Sequence, residues 1–292
     1  MIWLYLLPTL IWGSTWLVIT FQLGIVDPVL SVLYRFILAS SIALAFCYFK
    51  KIQLNWSKQD HLFFAIQGFF NFSLNYICTY TAESMVTSSM VAVAFTILPY
   101  LNSFGLWFMY KEKISRQSLI GMSFGAAGIV FIFFDELKNF SFQSSSVIGI
   151  LIALLATSFA SVGNLVSVRN SRKNIPTLAS VSWAMFYGAV GTLLIVFILG
   201  KEFSWDYRNQ YWMSLLYLTG PGTVISFFLY FTLVKKVGAG NAAYTSIMIP
   251  IIALILSAAF EGLAWSIKIW IGIALCVIGN LIILKSPKRT TP

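Results

Sequence analysis

No aspartate or glutamate falls near the middle of any apolar run in this chain of 292 residues, and histidine occurs once, as His61 at the start of the third run. An enzyme site inside such a bundle needs paired acids, a His/Cys ligand cluster or an activated nucleophile. None can be assembled, so no catalytic residue, metal site or cofactor is assigned. Cysteine is equally sparse: Cys47, Cys78 and Cys276 lie far apart inside apolar runs without a CxxC pair, which excludes a disulfide framework and leaves them as small core residues. Charge is the scarcest commodity, at 10% of residues against roughly 25% in soluble domains. A soluble core of this length would need charged outer faces on its helices, and here apolar stretches of about 20 residues pass without one. The N-terminus has neither a basic n-region nor a small-residue cleavage site, so Met1 onward reads as a retained first helix.

What the chain does have is apolar length. Hydrophobic residues make up 59% and the mean hydropathy is +0.85. Ten spans can be marked, at 2–22, 29–49, 60–81, 86–109, 117–134, 147–168, 177–199, 210–234, 240–260 and 267–285. Several carry start signals: Asp27-Pro28 sets a capping carboxylate before a first-turn proline, Ser57-Lys58-Gln59-Asp60 resembles a capping box, and Ser115 and Ser266 precede the fifth and tenth spans.

The charges that remain are sorted by loop. Fourteen of the 19 lysines and arginines fall in alternate connections and the C-terminal tail, whereas the other connections hold seven of the nine acids. Basic residues collect on the cytoplasmic side, which puts both termini in the cytoplasm. The same sorting explains the net charge of +10 without a nucleic-acid partner.

A stretch occurs twice. Pro99, Gly121 and Gly128 match Pro250, Gly272 and Gly279 at one offset of 151, and each copy passes a glutamate, Glu112 or Glu261, 13 or 11 residues beyond its proline. Earlier matches, Thr9/Thr157, Leu17/Leu165 and Pro28/Pro176, share an offset of 148. Residues 1–139 and 140–292 therefore read as two copies of five spans each. Five is odd, so the second copy lies inverted relative to the first, the plan of many secondary carriers, with the ligand site near the midplane between copies. The expected fold is an all-α membrane protein of ten transmembrane helices in two inverted five-helix repeats.

These residues resemble a family. Trp12-Gly13-Ser14, Arg35 and the paired series Pro99…Glu112…Gly121…Gly128 and Pro250…Phe260-Glu261-Gly262…Gly272…Gly279 are similar to the drug/metabolite transporter superfamily, EamA branch, over nearly the whole chain. The resemblance implies a carrier of amino acids or other small metabolites in the inner membrane, often an exporter. An importer or exchanger of a nucleotide-derived metabolite is the alternative.

Polar residues away from span ends are the pointers to a ligand path, since each needs a partner or a wet cavity. Asn75, Tyr76 and Tyr80 in the third span, Thr96 and Tyr100 in the fourth, Asn164 in the sixth and Tyr244 in the ninth are read together as lining it, against ordinary interhelical hydrogen bonding. Trp12 and Trp16, four apart and so on one helix face, either stack on an apolar substrate group or simply pack. Pro99 and Pro250 free the carbonyls of Phe95 and Ser246 and are read as hinges or as structural kinks. Gly220-Pro221-Gly222 is a further break with no proline counterpart in the third span, which would let the halves move unequally. Arg35 is the one formally charged side chain well inside a span. Its first reading is a structural arginine that snorkels or pairs toward Asp27, its second the capture of a substrate carboxylate. Polar groups in the cytoplasmic halves of the fourth and ninth spans suit loading from inside, hence export. The lack of a mid-depth acid favours uniport or exchange over tight proton coupling. Small residues in the fifth and tenth spans imply close packing within the bundle, in a monomer or homodimer.

Overall fold

The computed structural model describes residues 2–111, 114–132, 144–230, 232–233, 236, 245–262 and 266–284, and among these every regular element is helical. The first half runs α1 (Trp3–Thr20), α2 (Pro28–Phe49), α3 (Lys58–Gly68), α4 (Asn75–Glu83), α5 (Ser88–Ala94), α6 (Leu98–Tyr110) and α7 (Arg116–Ile132). The second runs α8 (Ser145–Arg172), α9 (Thr177–Ile198), α10 (Asn209–Thr219), α11 (Thr245–Phe260) and α12 (Ile267–Leu284). Among the described residues, six helical runs are long and apolar enough to cross a membrane: α1, α2, Ser88–Tyr110, α8, α9 and Asn209–Tyr230. Shorter apolar helices occupy Arg116–Ile132, Met248–Phe260 and Ile267–Ile282.

The start signals are used as read. Asp27 accepts the Val29 N–H at 2.9 Å, and Ser57 accepts the Asp60 N–H at 3.2 Å while donating to the Asp60 carboxylate at 2.6 Å. Ser115 and Ser266 accept from Ser118 and Ile269. Each satisfies a helix-start donor that would otherwise be orphaned.

Two helical runs carry a π turn. Between α3 and α4 lies a π-helical turn, Phe69–Leu74, and after α10 another, Gly220–Ile225. The two are displaced by 151 residues, the offset of the Pro and Gly matches. The missing proline in the third span therefore does not leave that helix regular; both halves widen at the equivalent place. The two prolines behave differently. At Pro99 the helix tightens to a 3-10 turn, Phe95–Ile97, and the Leu98 N–H takes up the Phe95 carbonyl that the proline leaves free. Pro250 lies inside α11 with no break.

Elements of the two halves pack on each other throughout: α2 on α9, α7 on α12, α1 on α11, and α3 and α4 on α8. The α7/α12 crossing brings backbones together, because a Cβ on Gly272 would stand 2.6 Å from the Gly128 carbonyl and one on Gly279 2.5 Å from that of Gly121. The small residues of these spans thus serve packing within the bundle. Ion pairs tie the ends. Arg169 and Lys173 of the second half hold Asp60 at 2.8 and 3.4 Å, and Lys201 holds Asp27 at 2.7 Å. In the 199–208 connection, Tyr34 stacks on Trp205 at 4.7 Å, and the Arg208 guanidinium holds the Asp206 carboxyl below the usual carboxylate range.

Candidate functional site

Arg35 is buried, at 1% exposure, at the junction of the halves. Its guanidinium donates to the Tyr80 hydroxyl at 3.4 Å from the first half and to the Thr223 hydroxyl at 3.3 Å from the second. It also lies over the Tyr76 ring, 4.7 Å from the centroid, and 5.6 Å from that of Phe36. Tyr80 in turn donates to Gln22 Oε1 at 2.8 Å. Among the described residues these oxygens are neutral, and no carboxylate touches the guanidinium. Asp27 pairs with Lys201 instead, so the expected Arg35–Asp27 pairing is replaced by a fully enclosed arginine. Among the described residues, Arg35 Nε and, on the residue that accepts from Tyr80, Gln22 Nε2 have no partner, nor does the buried Thr219 hydroxyl four residues before Thr223. A buried charge with only long bonds to neutral groups is costly, and an anion placed against these donors would relieve it.

The local backbone explains the arrangement. Thr223 sits in the second π turn, where its hydroxyl donates to the Leu218 carbonyl five residues back at 2.7 Å and its oxygen is left facing Arg35. Tyr76 and Tyr80 are four apart just beyond the first π turn, hence on one face of α4. Trp12 donates its indole N–H to the Gly222 carbonyl of the second turn at 3.1 Å and packs on Phe227, which reaches Phe72 and through it Tyr76.

Other residues singled out from the sequence lie elsewhere. Trp16 packs edge-on to Phe95 at 4.8 Å. Asn75 donates to the Asn71 carbonyl at 3.1 Å, and Asn71 meets Asn164 at 3.4 Å, forming a separate polar strip between the third and sixth spans. Thr96 faces Cys276 and, with Pro250 and Asn280, a cavity of about 20 Å³. Tyr100 inserts its ring end between Gly125 and Gly279, its hydroxyl unpartnered. Tyr244 lies outside the described residues. Arg35, Tyr76 and Tyr80 are thus brought together, with Trp12 one aromatic layer away. Gln22, Thr219 and Thr223 were missed. Gln22 stands at a span end, and the two threonines flank the Gly-Pro-Gly break, whose position was the available signal.

An apolar cavity of about 200 Å³, lined by Phe46, Val181, Met185, Val224, Phe227 and Phe228 among others, opens between α2, α9 and the run following α10. It shares Met185 and Phe227 with the core around Tyr76. Toward the other end, Glu261 accepts both the N–H and the hydroxyl of Ser88, capping α5 from the opposite half. Beside it Glu83 is 5% exposed, with neither carboxyl oxygen partnered.

Comparison with known proteins agrees with this architecture. The model of the EamA-like transporter family matches residues 1–134 and 147–285. The uncharacterized transporter YetK of Bacillus subtilis is 25% identical over 261 residues, covering 87% of this chain and 77% of its own. Protein PagO of Salmonella typhimurium is 23% identical over 290 residues, 96% and 91% of the two chains. A crystal structure superposes with a TM-score of 0.69 at 20% identity, covering 96% of this chain and 94% of that one, which shows a shared fold. The chain belongs to the EamA-like transporter family and is an integral membrane transporter.

Proposed function

We propose that the protein is a secondary carrier of ten transmembrane helices, built as two inverted five-helix repeats with both termini cytoplasmic. It moves amino acids or related small metabolites across the inner membrane by alternating access, in the export direction. The observation that carries the reading is the enclosed Arg35, bonded from one half through Tyr80 and from the other through Thr223. A guanidinium gripped by both halves, with unpartnered donors around it, suits a ligand carboxylate bound where the halves meet. The apolar cavity bordering the same core is matched in scale to a small hydrophobic substituent rather than to a large ligand, since drug-sized sites run to roughly 300 Å³ and above. The π turns at matching positions and the two matched segments of the family model support the repeat reading. The sorting of loop charge supports the orientation.

In liposomes the purified protein is expected to show saturable counterflow for members of a panel of labelled amino acids and small metabolites. Tyr76→Ala, which removes the ring beneath Arg35, and Trp12→Ala, which opens the aromatic layer behind it, are expected to abolish it. Folded protein that gives no counterflow with any amino acid removes that substrate class and turns the reading to import or exchange of nucleotide-derived metabolites.

A further inference from the structure

We propose that Glu83 is a proton-binding site, occupied when the two halves are joined through Glu261 and Ser88 and emptied when that junction parts. The proposal rests on the carrier reading, because it needs halves that separate. Glu83 ends α4, and both of its carboxyl oxygens are buried without a donor among the described residues. An ionised carboxylate there would have no hydrogen bond to replace those it makes in water, and that loss favours the neutral acid. The hydroxyls nearest in sequence are already engaged: Thr81 donates to the Ile77 carbonyl, Ser84 to the Thr81 carbonyl, Thr87 pairs with Ser89, and the N–H and hydroxyl of Ser88 both go to Glu261.

The groups that face Glu83 can be named by element. From beyond α11 comes the Glu261 carboxylate, a like charge; from α2 comes Arg35, an opposite one; from its own helix comes Tyr80. Arg35 attracts an anion at Glu83 but makes no bond to it, its two hydrogen bonds among the described residues going to Tyr80 and Thr223. The other helices packed on α4 bring nothing to offset Glu261. In α1 the ionisable side chain is Tyr5, about 16 Å of helix from Trp16, which packs at the level of Ala82. In α8 they are Arg169 and Arg172 in the last turn. Parting the junction exposes both carboxyls to water, and Glu83 then releases its proton to that water as a carboxylate. Rejoining takes one back from the same side.

The test needs no substrate. Infrared difference spectra of the full chain in lipid vesicles, at neutral pH and with hydrogen/deuterium exchange, report protonated carboxylic acids by their carbonyl stretch. Wild type is expected to show this band and Glu83→Gln to lose it. Ser88→Ala, which weakens the junction but leaves Glu83 in place, is expected to weaken the band at the same pH, a change that a merely packed carboxyl would not show. A wild type without the band, a band surviving in Glu83→Gln, or an unchanged band in Ser88→Ala overturns the proposal. Should Glu83→Gln fail to fold, the other two spectra decide. Counterflow without the band removes the proton site and leaves the carrier; the band without counterflow for any ligand does the reverse.

Discussion

At the scale of single residues, Arg35 carries the most consequence. Its planar fork reaches one hydroxyl from each half, and a lysine ammonium on a thinner stem cannot span both while also lying over Tyr76. Arg35→Lys is therefore expected to raise the counterflow KM for a carboxylate substrate about tenfold or more, in line with about 1.5 to 3 kcal/mol for a charge-assisted bond. Full affinity in that variant would end the carboxylate assignment. Arg35 was visible in the sequence as a charge inside an apolar span. Its partners were not, because hydroxyls such as Thr223 are common in membrane helices, and only the backbone path of the second π turn aims this one at the guanidinium. The same limit applied to Glu83, which by sequence is one of the acids in the connections, just past the third span. It is buried in a helix packed on α8, α2 and α1, an arrangement that no local pattern encodes.

At the scale of elements, the four capped helix starts were legible, since capping is a local matter of a side chain and a backbone donor two or three residues on. Breaks were only half legible. Pro99 announces one, yet Pro250 sits in a continuous helix, and the π turn at Phe69–Leu74 has no proline to announce it. Glycines make a sharper distinction. A side chain on Gly272 would meet the Gly128 carbonyl and the Ile132 side chain at 2.6 and 2.4 Å, and a carbonyl cannot withdraw without moving α7. Gly220, in the second π turn, faces open space. Gly272→Val is accordingly expected to destabilise the protein by about 1 to 3 kcal/mol and Gly220→Ala to stay within about 0.5 kcal/mol of wild type, as measured by unfolding in detergent. Equal effects of the two would show that backbone contact between α7 and α12 contributes little.

At the scale of the whole molecule, the proposed inverted plan rests on offsets and loop charge, which need no knowledge of packing. Which helices meet across the halves could not be read in that way, since apolar faces in a membrane have no preferred partner by composition alone. The contact of Glu261 with Ser88 gives this plan a mechanical test. With cysteines placed at positions 88 and 261 in a background free of Cys47, Cys78 and Cys276, a short bifunctional thiol reagent should join the halves at that end. Joined protein is expected to lose counterflow and to regain it when the link is reduced. Undiminished counterflow in the linked state would mean that this end does not open during transport.

The two π turns also reset the direction in which the residues after them face. A π turn holds one residue more than the α-helical path it replaces, so the faces before and after it fall out of step by about 100°. Phe72 and Thr223 hold the matching places in the two turns and present different surfaces, one an aromatic ring toward Phe36 and the other a hydroxyl toward Arg35.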